Sequence, residues 1–213
     1  MSSIHLELLD QNQLKVFKIL KALKKKAVLA GGTALALQLN HRYSFDFDLF
    51  QTKPIDSKVI HQLNRILDIK NNVFQSSDMV TLKLEEDVSF SLVYYWFNSL
   101  FPKIDAGSLY LFDYKDITLD KAHTIGRRNT WRDYFDLFYI LKNKLYTLDE
   151  IRINAKKKFG NEFSFEHFLS QLTYYDDLKE FNLKFVDKSY TKEDIKEFLT
   201  SEVEKYSKKI IHS

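Results

Sequence analysis

Apolar residues at helical spacing open the chain. Leu14, Phe17, Leu20 and Leu23 share one face between about Asp10 and Lys26, with Lys15, Lys18, Lys21 and Lys24–Lys26 largely opposite, which predicts an amphipathic helix. Ala27–Ala30 is a short apolar run that ends at Gly31-Gly32 and reads as a buried strand. Thr33–Leu39 follows as a compact run of good helix formers with Thr33 as its N-cap. Alternation at Phe45–Phe50 predicts a strand, and Ser57 to about Leu67 a helix. Met79–Leu84 and Val88–Tyr95 predict two further strands, with Glu85-Glu86-Asp87 as the polar turn between them and a short strand at Leu109–Phe112. From Tyr114 the pattern is helical: Tyr114–Arg128, Trp131–Lys142, Leu148–Phe159, Ser164–Tyr174 and Thr191–Lys209.

Strands and helices mix first and helices alone follow. That order predicts an α/β (α+β) fold, with a small mixed-sheet core over residues 1–112 and a helical half over 113–213 that packs on the core and contributes to its site. Composition narrows the class without naming a reaction. Only 5 glycines and 2 prolines argue against a turn-rich β-sandwich, while 18 phenylalanines and 12 tyrosines predict a ring-rich interior. With no cysteine, disulfides and thiolate metal sites are excluded, which fits the cytoplasm. No apolar run approaches the roughly 20 residues that span a membrane, and the first residues lack a signal-peptide pattern. The net charge of +3 is compatible with a nucleotide or RNA partner, yet it is also what an ordinary lysine-rich surface gives.

The candidate chemistry lies between Leu29 and Phe50. Gly31 and Gly32 leave bare backbone N–H groups at a helix start, a favourable seat for phosphate. Asp46 and Asp48 are two apart, so in a strand both carboxylates project from one side of the sheet. An amphipathic strand alternates in the same way, and Asp-x-Asp by itself carries little. The glycine turn upstream changes the reading: a nucleoside triphosphate would lay its phosphates on the turn while the two aspartates hold Mg²⁺ or Mn²⁺ against them.

At this point the residues resemble a known family. GGTALALQLNHRYSFDFDLF is similar to the opening motif of the AbiEii-type nucleotidyltransferase toxins, of the polymerase-β-like superfamily, through Gly31, Gly32, Thr33, His41, Arg42, Ser44, Asp46, Asp48, Leu49 and Phe50. A second block, Asp116-Ile117, Lys121, Arg128, Arg132-Asp133 and Asp136-Leu137, resembles the family's downstream segment. The resemblance implies that Gly31, Gly32, Thr33 and Arg42 bind the nucleotide and that Asp46 and Asp48 hold the metal. Lys121 would contact the triphosphate, with Arg128 beside it on the same helical face, and Asp136 or Asp133 would orient Lys121 or the acceptor. An ordinary helix pair laced with ion pairs accounts for the second block equally well when it is taken alone.

The implied activity is transfer of a nucleoside monophosphate from a nucleoside triphosphate to an acceptor, tRNA or another RNA, by the toxin of a type IV-like toxin–antitoxin or phage-defence pair with a cognate antitoxin. Two alternatives stand beside it: adenylylation of a protein, and a catalytically degenerate fold that binds nucleotide or a partner. The second draws on one departure, since superfamily enzymes commonly add a third carboxylate from a neighbouring strand and none lies within VTLKL or VSFSLVYYW. Arg42 and His41 also suit a solvated corner of the short helix. The histidines, His212 among them, show no ligand spacing, and Lys156–Lys158 reads as a solvated helix face. Tyr94-Tyr95-Trp96-Phe97 suits a buried core or partner surface better than base stacking.

Overall fold

The structure is a computed structural model that describes residues 4–85, 87–128 and 130–211. Two compact units divide the chain, Met1–Tyr114 and Lys115–Ser213.

In the first unit a helix, α1 (Gln11–Ile19), is capped by Asp10, whose carboxylate accepts from Gln13 N while the Gln13 side chain accepts from Asp10 N. The predicted long helix tightens into a 3₁₀ turn over Leu20–Leu23, which keeps Leu20 and Leu23 buried. Strand β1 (Val28–Ala30) leads directly into α2 (Gly31–Leu39), and β2 (Asp46–Gln51) returns antiparallel to β1. Then come α3 (Ser57–Ile66), β3 (Ile69–Gln75), β4 (Met79–Leu84), β5 (Ser89–Tyr94), β6 (Ile104–Asp105) and β7 (Tyr110–Leu111). The seven strands form one mixed sheet in the order β3-β4-β5-β2-β1-β7-β6, with β2–β5 and β1–β7 parallel and the other pairs antiparallel.

Strand alternation gives this sheet two unlike faces. Phe47 and Leu49 of β2, Phe90 and Leu92 of β5 and Val80, Leu82 and Leu84 of β4 are buried on one side. The register places Asp46, Asp48 and Phe50 on the other, beside Ser89, Ser91 and Val93, with Lys83, Thr81 and Met79 next along.

The second unit is helical: α4 (Tyr114–Thr124), which starts at the boundary residue, α5 (Trp131–Lys142), α6 (Leu148–Phe159), α7 (Phe165–Leu172) and α8 (Lys192–Ile211). Rings fill its core, among them Tyr134, Phe135, Phe138 and Phe168. Among the described residues no helix is long and apolar enough to cross a membrane.

Three local expectations are corrected. Helix α4 ends at Thr124 and Gly126 turns the chain with φ +81°, so Lys121 and Arg128 do not share a helical face; Arg128 sits in an exposed bend. Lys158 is buried and not solvated, because its Nζ lies 3.0 Å from the carboxylate of Asp116 and 2.7 Å from that of Asp120. Thr33 is not the N-cap of α2; Ala30 is, in extended backbone, and the turn comes from Gly31 at φ +65°. Two strands, β3 and β6, are additional to those expected. Of the acidic turn after β4, Glu86 lies outside the described residues, as does His212 in the histidine set.

Candidate active site

The strand–helix–strand unit β1–α2–β2 builds the site. Because β2 runs back along β1 with Asp48 opposite Ala30, the start of α2 and the acidic end of β2 come to the same end of the sheet. Their approach is close. A Cβ added at Gly31 would lie 2.6 Å from Asp48 Oδ2, nearer than packed atoms come, and φ +65° there is a conformation that favours glycine. Glycine is required twice over: once for the turn, and once so that the Asp48 carboxylate can lie against the backbone.

Gly32 is needed for a second reason. A Cβ there would lie 2.7 Å from Arg42 Nη2 and 3.1 Å from Ser44 Oγ. Arg42 is only 2 % exposed, and its guanidinium donates to the carbonyl of Tyr43 at 3.0 Å. A buried cation therefore lies against the first turn of α2, next to the helix N-terminus. Both favour an anion at this place. His41 is buried as well, so the solvated reading of this corner does not hold.

Thr33 and Ser44 fasten the two sides. The Thr33 hydroxyl is within hydrogen-bond reach of Ser44 Oγ at 3.0 Å and of the Asp46 carbonyl. The Ser44 carbonyl in turn accepts from Gln13 Nε2 at 2.8 Å. Gln13 is absent from the sequence reading. The Asp-x-x-Gln pattern signals its capping role, but a contact across 31 positions leaves no local trace. Gln38 is a second such residue: its amide donates to the carbonyls of Ala34 at 2.8 Å and Phe112 at 2.9 Å, and its oxygen accepts from Tyr114 N at 2.8 Å. It fixes the far end of α2 to the chain leaving β7. With Ser89 and Ser91 of β5 opposite Asp46 and Asp48, the neighbouring strand supplies hydroxyls and no third carboxylate on this face.

The second block also forms one cluster, inside the second unit. Lys121 Nζ of α4 lies 2.5 Å from Asp133 Oδ1 and 2.8 Å from Asp136 Oδ2 of α5, and all three side chains are buried. Asp133 and Asp136 are neighbours on α5 at the spacing of one turn, so one ammonium bridges both. Arg128 is no part of this trio in the described contacts.

Comparison with known proteins gives the family and the fold. Residues 17–108 match the family described as Nucleotidyl transferase AbiEii toxin, Type IV TA system. The uncharacterized protein aq_aa25 of Aquifex aeolicus (strain VF5) is 30% identical over 183 residues, 84% of this chain and 86% of that protein. Two crystal structures from Helicobacter pylori share the fold. A protein taken for a nucleotidyltransferase superposes with a TM-score of 0.60 at 18% identity, covering 96% of this chain and 98% of its own. JHP933 does so with a TM-score of 0.50 at 16% identity, covering 99% of each. Since the matched segment holds the glycine turn and both aspartates, and the likeness to a relative extends through most of the chain, this protein belongs to the AbiEii nucleotidyltransferase family.

Proposed function

We propose that this nucleotidyltransferase moves a nucleoside monophosphate from a nucleoside triphosphate to a hydroxyl of an RNA acceptor, as the toxin of a toxin–antitoxin pair. The observation that carries the reading is the approach of Asp48 Oδ2 to the Gly31 backbone, which sets a carboxylate pair beside a helix N-terminus backed by Arg42. The triphosphate would lie on the first turn of α2, over Gly31, Gly32 and Thr33, with Arg42 opposing its charge. The donor set fits Mg²⁺ or Mn²⁺: a hard cation is held by one or two carboxylates together with substrate phosphates, and Asp46 and Asp48 share one face of β2 at the end of the sheet where α2 begins. When bound, the cation neutralises charge on the phosphates as it develops.

The chain's own contribution is position. The acceptor oxygen bonds to the α-phosphorus as the bond to pyrophosphate breaks, and the hydroxyl proton passes to one of the two carboxylates. Gly31 and Gly32 hold the phosphates in line, while Thr33 and Ser44 keep β2 in register beneath them.

Incubation with each α-labelled nucleoside triphosphate, Mg²⁺ and total RNA or tRNA tests the main reading. Label on RNA is expected from the wild type and not from Asp46→Ala/Asp48→Ala. Label on a protein in place of RNA would overturn the acceptor, and no label anywhere would overturn catalysis of this kind.

A further inference from the structure

The sheet face that carries Asp46 and Asp48 continues past Phe50 into a cleft of about 410 Å³, whose walls belong entirely to the first unit. Its floor is aromatic. Phe50 stacks on Tyr95 with ring centroids 4.6 Å apart and meets Phe112 edge-on at 6.0 Å, and Tyr95 meets Phe97 at 5.6 Å. Its rim is basic, formed by Lys24, Lys25 and Lys26 after the 3₁₀ turn and Lys103 before β6. One acid is near: Asp105 holds Lys24 at 2.6 Å. Among the described residues Lys25, Lys26 and Lys103 make no ion pair, and all three are exposed. The cleft thus joins uncompensated positive charge to ring faces.

We propose that this cleft binds the unpaired strand of an acceptor RNA and leads its end toward the aspartate pair, an inference that rests on the RNA-acceptor reading above. Phe50 and Asp48 are two apart on one strand and face the same way, so cleft and carboxylates are separated by about 7 Å of backbone. Spread lysines suit a chain of phosphates better than a single anion. Aromatic side chains in a basic groove hold bases by stacking, and only unpaired bases offer their faces. A protein partner would call for acidic residues spread along its surface to match these lysines, whereas every stretch of RNA carries the matching charge.

The test is fluorescence anisotropy with a labelled single-stranded RNA of about 12 nucleotides, within the roughly 4–16 that one such groove covers. Wild type should bind with a salt-dependent affinity that a blunt RNA duplex of equal length competes for poorly. Lys25→Gln/Lys26→Gln/Lys103→Gln removes three surface charges without touching the core. It should bind at least about tenfold more weakly and flatten the log–log salt slope by about 2. Tyr95→Leu keeps apolar bulk but removes a ring, and should weaken binding at least about fivefold at unchanged salt slope. Affinity and slope unchanged in the triple variant, equal competition by duplex, or no binding by wild type would each overturn the proposal. Nucleotide transfer is read separately. Label on RNA with binding unchanged in the variants leaves the acceptor reading standing and removes the cleft. Variant-sensitive binding with label found only on protein removes the acceptor reading and keeps the cleft as an RNA site.

Discussion

A methyl group at position 31 would meet the carboxylate of Asp48 and would sit on a backbone that L-residues avoid. Gly31→Ala should therefore cost about 1–3 kcal/mol, of which roughly 1–2 kcal/mol belongs to the left-handed backbone alone. Repeating the substitution in an Asp48→Ala background isolates the remainder, since only the backbone cost should persist; urea midpoints at constant m measure both. The buried trio gives a second prediction. Lys121→Met strands two carboxylates in the interior and should destabilise by about 3–5 kcal/mol. Replacing Asp133 and Asp136 by Leu as well should recover most of that loss, because the expense lies in uncompensated charge and not in the missing bridge. These residues show how far a sequence can be read. Gly31, Asp46 and Asp48 were legible, since a turn and a strand of period two fix their directions. The burial of Arg42 and Lys158 was not, because a charged side chain goes inside only when distant partners receive it, as Asp116 and Asp120 receive Lys158.

Elements were readable where their own sequence carried both period and stop signals. Helix α6 occupies Leu148–Phe159 as the pattern predicts, because Thr147 and Glu150 form a capping box at its start and Gly160 ends it. Strand β3 escaped notice because Ile69–Gln75 lies at the sheet edge, largely exposed, and has no apolar alternation to betray it. An exposed edge strand opens first, so in native-state hydrogen exchange its outward amides should be protected least in the sheet and those of β2 most. The ends of α4 and α6 supply a pH-dependent contact. His123 stacks on Phe159 with ring centroids 4.4 Å apart. Burial, aided by the positive charges of Arg127 and Lys158 and opposed by Glu162, holds the imidazole below its ordinary value of 6.5. The unfolded chain then takes up this proton at a higher pH than the folded chain does. Stability contributed here is present above about pH 6.5 and falls as pH drops from there toward the depressed value. Urea midpoints at about pH 7.5 and about pH 5.5 should show a smaller acid loss in His123→Phe than in the wild type.

For the whole molecule, the order of mixed elements before helices fixed the fold class, while the sheet order did not follow from it. Placing β2 between β1 and β5 requires pairings with no local signature, in one antiparallel and one parallel register. The proposed metal seat also has a consequence at this scale. Among the described residues no group of three or more histidine and acidic side chains is placed to hold a metal ion, so the aspartate pair would bind Mg²⁺ firmly only together with phosphates. Mg²⁺ alone or a nucleoside triphosphate alone should thus move the thermal midpoint little, and both together should raise it by several degrees, which differential scanning fluorimetry would read directly. A full shift with Mg²⁺ alone would place the metal elsewhere.

Strand β1 has only three residues, yet it lies between β2, formed soon after it, and β7, which arrives much later. During synthesis, Val28 leaves the ribosome about 80 residues ahead of its partner Tyr110, a delay of roughly 4–16 s at ordinary elongation rates. Through that interval the strand feeding the glycine turn is an open edge, guarded on its N-terminal side by Lys24–Lys26, a charged stretch that discourages another nascent chain from pairing there. The end of the sheet that carries the glycine turn and the aspartate pair would thus be assembled before its own flank is closed, and a pause in translation beyond β2 should raise misassembly more than a pause after β7.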